Sequence, residues 1–316
     1  MKKIVAVLCL IICFSCKITV DNSIKGDEIS INQVKEHVEF LASDALQGRN
    51  TGSKGIEMAA RYIENIFTKN KIKPYFETYR DSFNVKEIVG YNIVGIIEGN
   101  DPKLKDEFVI IGAHYDHIGF KTKVDNDSIS NGANDNAAGT TAVLALAEYL
   151  AKEKMNKRSI IISLFSGEEL GLVGSEHLAE KLKLRNLDLY TMLNFEMIGV
   201  PFKDRDYEAL LTGYDLTNMA QIINNSIGSN YLGRSEVAIK YNLFKQSDNY
   251  AFYQVFKVPS QTISSCDLSN YDYYHHVDDE ADKLDYEHMT KLINKMIPAM
   301  KNICNSATKE IKMTHE

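Results

Sequence analysis

Phe108-Val-Ile-Ile-Gly-Ala-His114-Tyr-Asp116-His117 is the stretch on which the fold turns. Its first six residues form an unbroken apolar run, as expected of a strand buried on both faces of a parallel sheet. The run breaks off at ionisable residues. Downstream, the polar loop 131–139 opens into an apolar helix over residues 140–152. A second apolar strand, residues 159–165, runs out at Glu168-Glu169, and a third, residues 190–195, stops at Glu196. Strands alternating with helices predict an α/β fold: a central mixed, mostly parallel sheet with helices on both faces. In an open sheet of this kind, ligands bind beyond the carboxyl ends of the strands. Three successive strands deliver His and Glu there, with Asp135 in the loop between the first two. Imidazole and carboxylate converging on one crevice are the donors that zinc takes in hydrolases.

The rest of the chain is read outward from this core. Residues 31–46 carry apolar side chains at Ile31, Val34, Val38, Leu41 and Leu46, spaced for an amphipathic helix. A loop over 47–53 leads to a second helix, 54–69. Residues 79–85 and 91–98 read as strands joined through Gly90. Further helices are expected over 172–183, 216–227 and 247–256, the last with Ser247 as N-cap. Short strands are expected over 207–212 and 258–264. A closing helix, 286–303, precedes a polar, frayed tail, 306–316. Residues 30–305 are read as a single domain, with no internal repeat and no linker.

Composition sets bounds. The chain has 316 residues, 44% apolar and 25% charged, the profile of a soluble globular domain. A net charge of −7 argues against nucleic acid as a partner. Residues 1–15 are a short basic start and about a dozen apolar residues, below the ~20 needed to span a bilayer. They are expected to be an export signal. Ser15-Cys16 resembles the cleavage site of bacterial lipoproteins, which makes Cys16 the lipid-modified residue and 16–29 a polar tether. The expected location is therefore exported, lipid-anchored, periplasmic or cell-surface, with the anchor as the one contact with membrane. Cys266 and Cys304 are read as small buried thiols, with a disulfide as the alternative in an oxidising compartment.

Five side chains are candidate metal ligands: His114, Asp135, Glu169, Glu196 and His275. If one carboxylate bridges two metals, five residues give each metal three protein donors, and Asp135 is best placed to bridge. A ligating imidazole usually gives its second N–H to a carboxylate, a role assigned to Asp116. Of the adjacent pair Glu168 and Glu169, one can ligate while the other serves as general base. His117 could ligate in place of His114, and His276 in place of His275. His37, His177, His288 and His315 are read as structural.

These residues lie in Phe40-Leu-Ala-Ser-Asp44, Gly48-Arg49, Thr51-Gly52, Gly112-Ala-His-Tyr-Asp-His117, Gly132-Ala-Asn-Asp-Asn-Ala-Ala-Gly139, Gly167-Glu-Glu-Leu-Gly171, Asn194-Phe-Glu-Met-Ile-Gly199, Tyr274-His275 and Asp278-Asp279. The set resembles the co-catalytic di-zinc aminopeptidases, whose relatives include glutamate carboxypeptidases, glutaminyl cyclases and the inactive transferrin-receptor ectodomain. The resemblance implies the zinc-exopeptidase fold and two zinc ions per chain. His114 and Glu196 would bind one ion and Glu169 and His275 the other, with Asp135 shared. It implies Glu168 as base, Asp116 as support of His114, and a strained, often cis, peptide at Asp135-Asn136. The expected activity is removal of N-terminal residues from peptides, with Tyr241 a candidate on the oxyanion side. Glutaminyl cyclisation with one zinc, and carboxypeptidase or dipeptidase activity, are the alternatives. The chain departs from many relatives in having Glu196 for Asp, Asn249 after Ser247-Asp248 where His is common, and His276-Val277 for Thr-Pro. It also leaves no room for a lid domain before the first core strand.

Overall fold

The computed structural model describes residues 28–314. The export signal, Cys16, almost all of the tether and His315 lie outside the described residues. The strand Glu107–His114 sits at the centre of a nine-stranded sheet. Ser159–Phe165 pairs parallel to it on one side and Asp188–Phe195 parallel on the other. Beyond Ser159–Phe165 the sheet turns antiparallel through Ile88–Ile97, which forms a hairpin with Arg80–Val85. Beyond Asp188–Phe195 lie Ser260–Ser264, parallel, and then Ala209–Leu211, antiparallel. The chain thus leaves the central strand in one direction and later returns to its other side. That reversal opens a crevice at the carboxyl end of His114.

The two sheet faces are covered separately. Val109, Ile111 and Ala113, with Ile160, Ile162 and Leu164, pack against the helices Ile31–Leu41, Lys54–Lys69, Gly139–Glu153 and Tyr286–Asn305. The alternate residues Ile110, Ile161, Phe165 and Met192 meet Val173–Leu184 and Asn249–Phe256. Period-two alternation between two apolar cores is why these strands read as continuous apolar runs. The helix Lys54–Lys69 starts where Ser53 accepts a hydrogen bond from the Ile56 N–H at 3.3 Å. It buries Ile56, Ala59, Ile63 and Phe67, spaced three and four apart.

Several expectations need correction. The first helix ends at Leu41 rather than residue 46, and the chain tightens into turns over Asp44–Arg49. Gly48 there adopts φ 65°, and a Cβ would lie 2.3 Å from the Ser130 carbonyl oxygen, so a side chain has no place. Gly90 is not a connection: it pairs with Phe83 inside the hairpin. Residues after His117, to which the sequence reading gave no element, form a second hairpin, Gly119–Val124 with Asp127–Ser130. Ser247 does not cap the helix Asn249–Phe256; its hydroxyl accepts from Asn194 at 2.8 Å. The tail does not fray over its described part. Ile311 is buried, and its N–H donates to the Tyr190 hydroxyl at 2.8 Å. Cys266 and Cys304 are buried free thiols. Among the described residues, no helix is long and apolar enough to cross a membrane.

Candidate metal centre

The loop carrying Asp135 is fixed from both ends. Arg49, wholly buried, donates to the carbonyls of Asn131 and Gly132 at 2.7 and 2.9 Å, and to those of Tyr115 and Leu41. Asp279 accepts the N–H groups of Asn134 and Asp135 at 2.8 and 3.0 Å, and the Tyr271 hydroxyl at 2.6 Å. The Asp135–Asn136 peptide is cis. The Asn136 amide then ties the loop to the neighbouring strand end. It donates to the Phe195 carbonyl at 3.0 Å and accepts from the Met197 N–H at 3.2 Å, so it brackets Glu196.

Around Asp135 the side chains fall into two groups. His114 Nε2 lies 3.3 Å from Asp135 Oδ1, and Glu196 completes that group. His275 Nε2 lies 3.2 Å from Asp135 Oδ2 and 3.0 Å from Glu169 Oε2. His117 joins the second group, with Nδ1 2.9 Å from Glu169 Oε1. All five expected ligands therefore meet, and Asp135 belongs to both groups. His276 stays apart: its Nδ1 accepts from the Asp278 N–H at 3.1 Å. His117 does not replace His114 but stands with the other group.

Asp116 plays a different part from the one expected. His114 Nδ1 is 3.1 Å from the Asp116 carbonyl oxygen, whereas the nearer carboxylate oxygen is 3.8 Å away. Main chain, not carboxylate, orients the imidazole. The carboxylate accepts the Thr51 hydroxyl at 3.0 Å and the Glu168 N–H at 3.3 Å, and so shapes the turn that carries Glu168.

Burial makes this cluster electrostatically unbalanced. It pushes the carboxyls of Glu196 and Asp248 up to about 7 against the pull of His114, and raises Asp116. Glu168 is raised well above the usual range by burial, with Glu196, Asp248 and Glu169 adding repulsion and His114 opposing. At Asp135 burial acts in the same sense, but His114, His275 and His117 outweigh it and hold the carboxyl low. His275 goes up to about 9, because Asp135 and Glu169 overcome the burial that lowers it. His114 Nε2, Asp135 Oδ2 and Glu196 Oε2 are buried without a hydrogen-bond partner. Buried polar atoms left unpaired are costly. Imidazole and carboxylate donors orphaned at one point fit a divalent metal, zinc above all.

A cavity of about 280 Å³ opens beside Glu196, walled by Met197, Tyr241, Leu243, Leu268 and Tyr274 with Cys266 among them. Glu196 is the one charged residue lining it. A cavity of about 510 Å³ around Tyr214, Phe244 and Tyr253 is larger but is not lined by any of the donors. The chemistry belongs with the smaller one.

Comparison with known proteins agrees with this geometry. The model of peptidase family M28 matches residues 92–300. The chain belongs to that family. Among curated relatives, a probable zinc metalloprotease of Pyrenophora teres f. teres is 28% identical over 194 residues, which cover 57% of this chain. The match takes in 39% of that protein's length, so the chain spans well under half of it. Among solved structures, the Legionella pneumophila LapA aminopeptidase superposes with a TM-score of 0.70 at 19% identity, covering 89% of this chain and 73% of that one. Porphyromonas gingivalis glutaminyl cyclase gives 0.69 at 13% identity, covering 87% and 98%. At such identities these likenesses speak for the shared fold alone.

Two residues of this M28 chain play parts that the sequence reading did not give them: Asp279 was assigned no role, and His117 was weighed only as a substitute for His114. Asp279 stands in an acidic run, Asp278-Asp279-Glu280, where nothing distinguishes the member that turns inward. His117 had a signal, the His-x-Asp-His spacing, but spacing alone does not say which group a side chain joins.

Proposed function

We propose that this M28 chain is a zinc-dependent aminopeptidase acting on peptides. The observation that carries the reading is the sharing of Asp135 between two sets of buried and half-buried donors. His114 and Glu196 would hold one zinc with Asp135; Glu169 and His275 would hold the other with the opposite oxygen of the same carboxylate. Zinc bound there would acidify water and polarise the scissile carbonyl. The protein does the rest. Glu168, on the turn set by Asp116, takes the proton of the attacking water and returns it to the leaving amine. Burial raises its pKa, and two cations nearby would offset the repulsion from Glu196, Asp248 and Glu169. The surplus of buried carboxylates favours a cationic α-amino group. The cavity beside Glu196, mostly apolar and without a basic side chain, favours an uncharged first residue. Tyr241, about half exposed, lines the same cavity, which supports it as the candidate on the oxyanion side.

Zinc content combined with a panel of aminoacyl reporter substrates tests this reading. The expected result is two zinc ions per chain, cleavage of reporters with uncharged residues ahead of lysyl or aspartyl ones, and loss of activity on chelation. One tightly held zinc with cyclisation of N-terminal Gln would instead establish the cyclase reading. Cleavage by chelated protein would defeat the metal mechanism.

A further inference from the structure

We infer that His117 is a fourth protein ligand of the site formed by Asp135, Glu169 and His275, which makes the two metal sites unequal. This rests on the two-metal reading above and goes beyond it. Four donors bonded at 2.0–2.2 Å in a tetrahedron stand about 3.3–3.6 Å apart. His117 Nδ1 lies 2.9 Å from Glu169 Oε1 and 3.6 Å from Asp135 Oδ2. His275 Nε2 lies 3.0 and 3.2 Å from the same two carboxylates. Three of these spacings fall 0.1–0.4 Å short of the tetrahedral edge and one reaches it, with the two imidazoles on different oxygens of Glu169, so His117 stands as near to the other donors as His275 does and can supply a fourth vertex.

The ring is fixed in that place. His117 is buried, and its main-chain N–H donates to the Arg49 carbonyl at 3.3 Å. Gly132 packs against it: a Cβ there would come within 2.5 Å of the imidazole. His117 Nε2 is 3.0 Å from Ser130 Oγ, and that hydroxyl donates to the His276 carbonyl at 3.1 Å. With its proton so committed, Ser130 accepts from Nε2–H. This assigns the tautomer and turns the Nδ1 lone pair toward two carboxylates. A bare lone pair facing carboxylate oxygens is repulsive, and a cation among them reverses the sign. His114 follows the same logic with its nitrogens exchanged: Nδ1 meets the Asp116 carbonyl, and Nε2 is left free.

A site closed by four side chains holds its metal without an open protein-side position, whereas three ligands leave one. The His117 site is then the tighter, and the His114 site is the one that exchanges metal and admits water or substrate.

Zinc-loaded protein tests this by two measurements independent of turnover. X-ray absorption counts imidazoles, and three shared over two metals are expected; two would overturn the assignment. Chelator competition measures the tighter site in the wild type, His117→Ala and His117→Asn, with thermal melts confirming folding. Asn keeps an N–H donor near the Nδ1 position but lacks the imidazole lone pair. Loss of a ligand predicts that both variants weaken the tighter site more than ~100-fold. If His117 only supports Glu169 by a hydrogen bond, Asn keeps the affinity and Ala loses 10–100-fold, and the proposal fails. Wild-type protein that takes up one zinc or none removes the two-metal reading itself, an outcome distinct from loss of His117 alone.

Discussion

Glu168 and Glu169 are adjacent, yet the turn that follows Phe165 sends them to different tasks. Glu169 reaches the two imidazoles, while Glu168 stays outside both donor groups, half-buried, its N–H held by Asp116. Glu168→Gln keeps the shape and removes the basic oxygen. It should retain both metals by elemental analysis and lose 10²–10⁴-fold in kcat, the usual worth of a general base; near-normal turnover would remove Glu168 from that role. Of the candidate ligands, His114, Glu169 and Glu196 were legible because each follows an apolar run that has no other reason to end in ionisable side chains, whereas Asp135 and His275 stand in polar loops and were legible through the family motifs around them. The support residues were not. Asp279 acts through two main-chain N–H groups more than 140 positions earlier in the chain, a contact that exists only after the loops fold back. His114 misled in a smaller way: its orienting partner is the Asp116 carbonyl, and sequence shows side chains, not which carbonyl a ring will meet.

At the scale of elements, the site depends on how one loop is clamped between neighbours. Arg49 bridges four carbonyls drawn from the first helix, the His114 strand end and the Asp135 loop. Burial lowers its pKa to about 10, so the guanidinium remains charged at neutral pH. Arg49→Met would leave those carbonyls without donors at ~1–3 kcal/mol each where buried. A loss of roughly 3–5 kcal/mol is expected in urea denaturation, as when one partner of a buried charged cluster is removed; a loss under 1 kcal/mol would contradict the clamp. The first helix adds a pH dependence. Burial, reinforced by Lys69, lowers His37 from 6.5 to about 4. The unfolded chain therefore binds this proton more readily than the folded one. The stability is full above pH 6.5 and is lost as pH falls toward 4. Its size is at most ~3 kcal/mol. His37→Asn should flatten that slope in melts taken across this range; an unchanged slope would assign it to other groups. Strand positions were legible from buried apolar runs, but the hairpin Gly119–Ser130 was missed. Most of its first strand is exposed, which removes the alternation that marks a half-buried strand. The remaining cue was its turn, Asp125-Asn126, both at positive φ.

For the molecule as a whole, the sheet separates two apolar cores and reverses direction beside its central strand, so distant segments reach one crevice without a separate domain to carry them. The alternation of strand and helix was enough to predict this architecture. It did not predict how the C-terminal segment closes the molecule. Its polar composition hid Ile311, which packs into the larger core, and the main-chain bridge from Met313 to Thr217. Ile311→Ala should cost ~2–5 kcal/mol, read as a lowered denaturation midpoint; no change would return the segment to the role of a loose tail. The shared Asp135 is the claim on which the functional account stands. Crystals grown with zinc, measured on both sides of the zinc absorption edge, test it directly. The account predicts two anomalous peaks about 3.5–4 Å apart, one on each side of the Asp135 carboxylate, the first beside His114 and Glu196 and the second beside Glu169 and His275. A single peak, or two peaks that do not share Asp135, would contradict it.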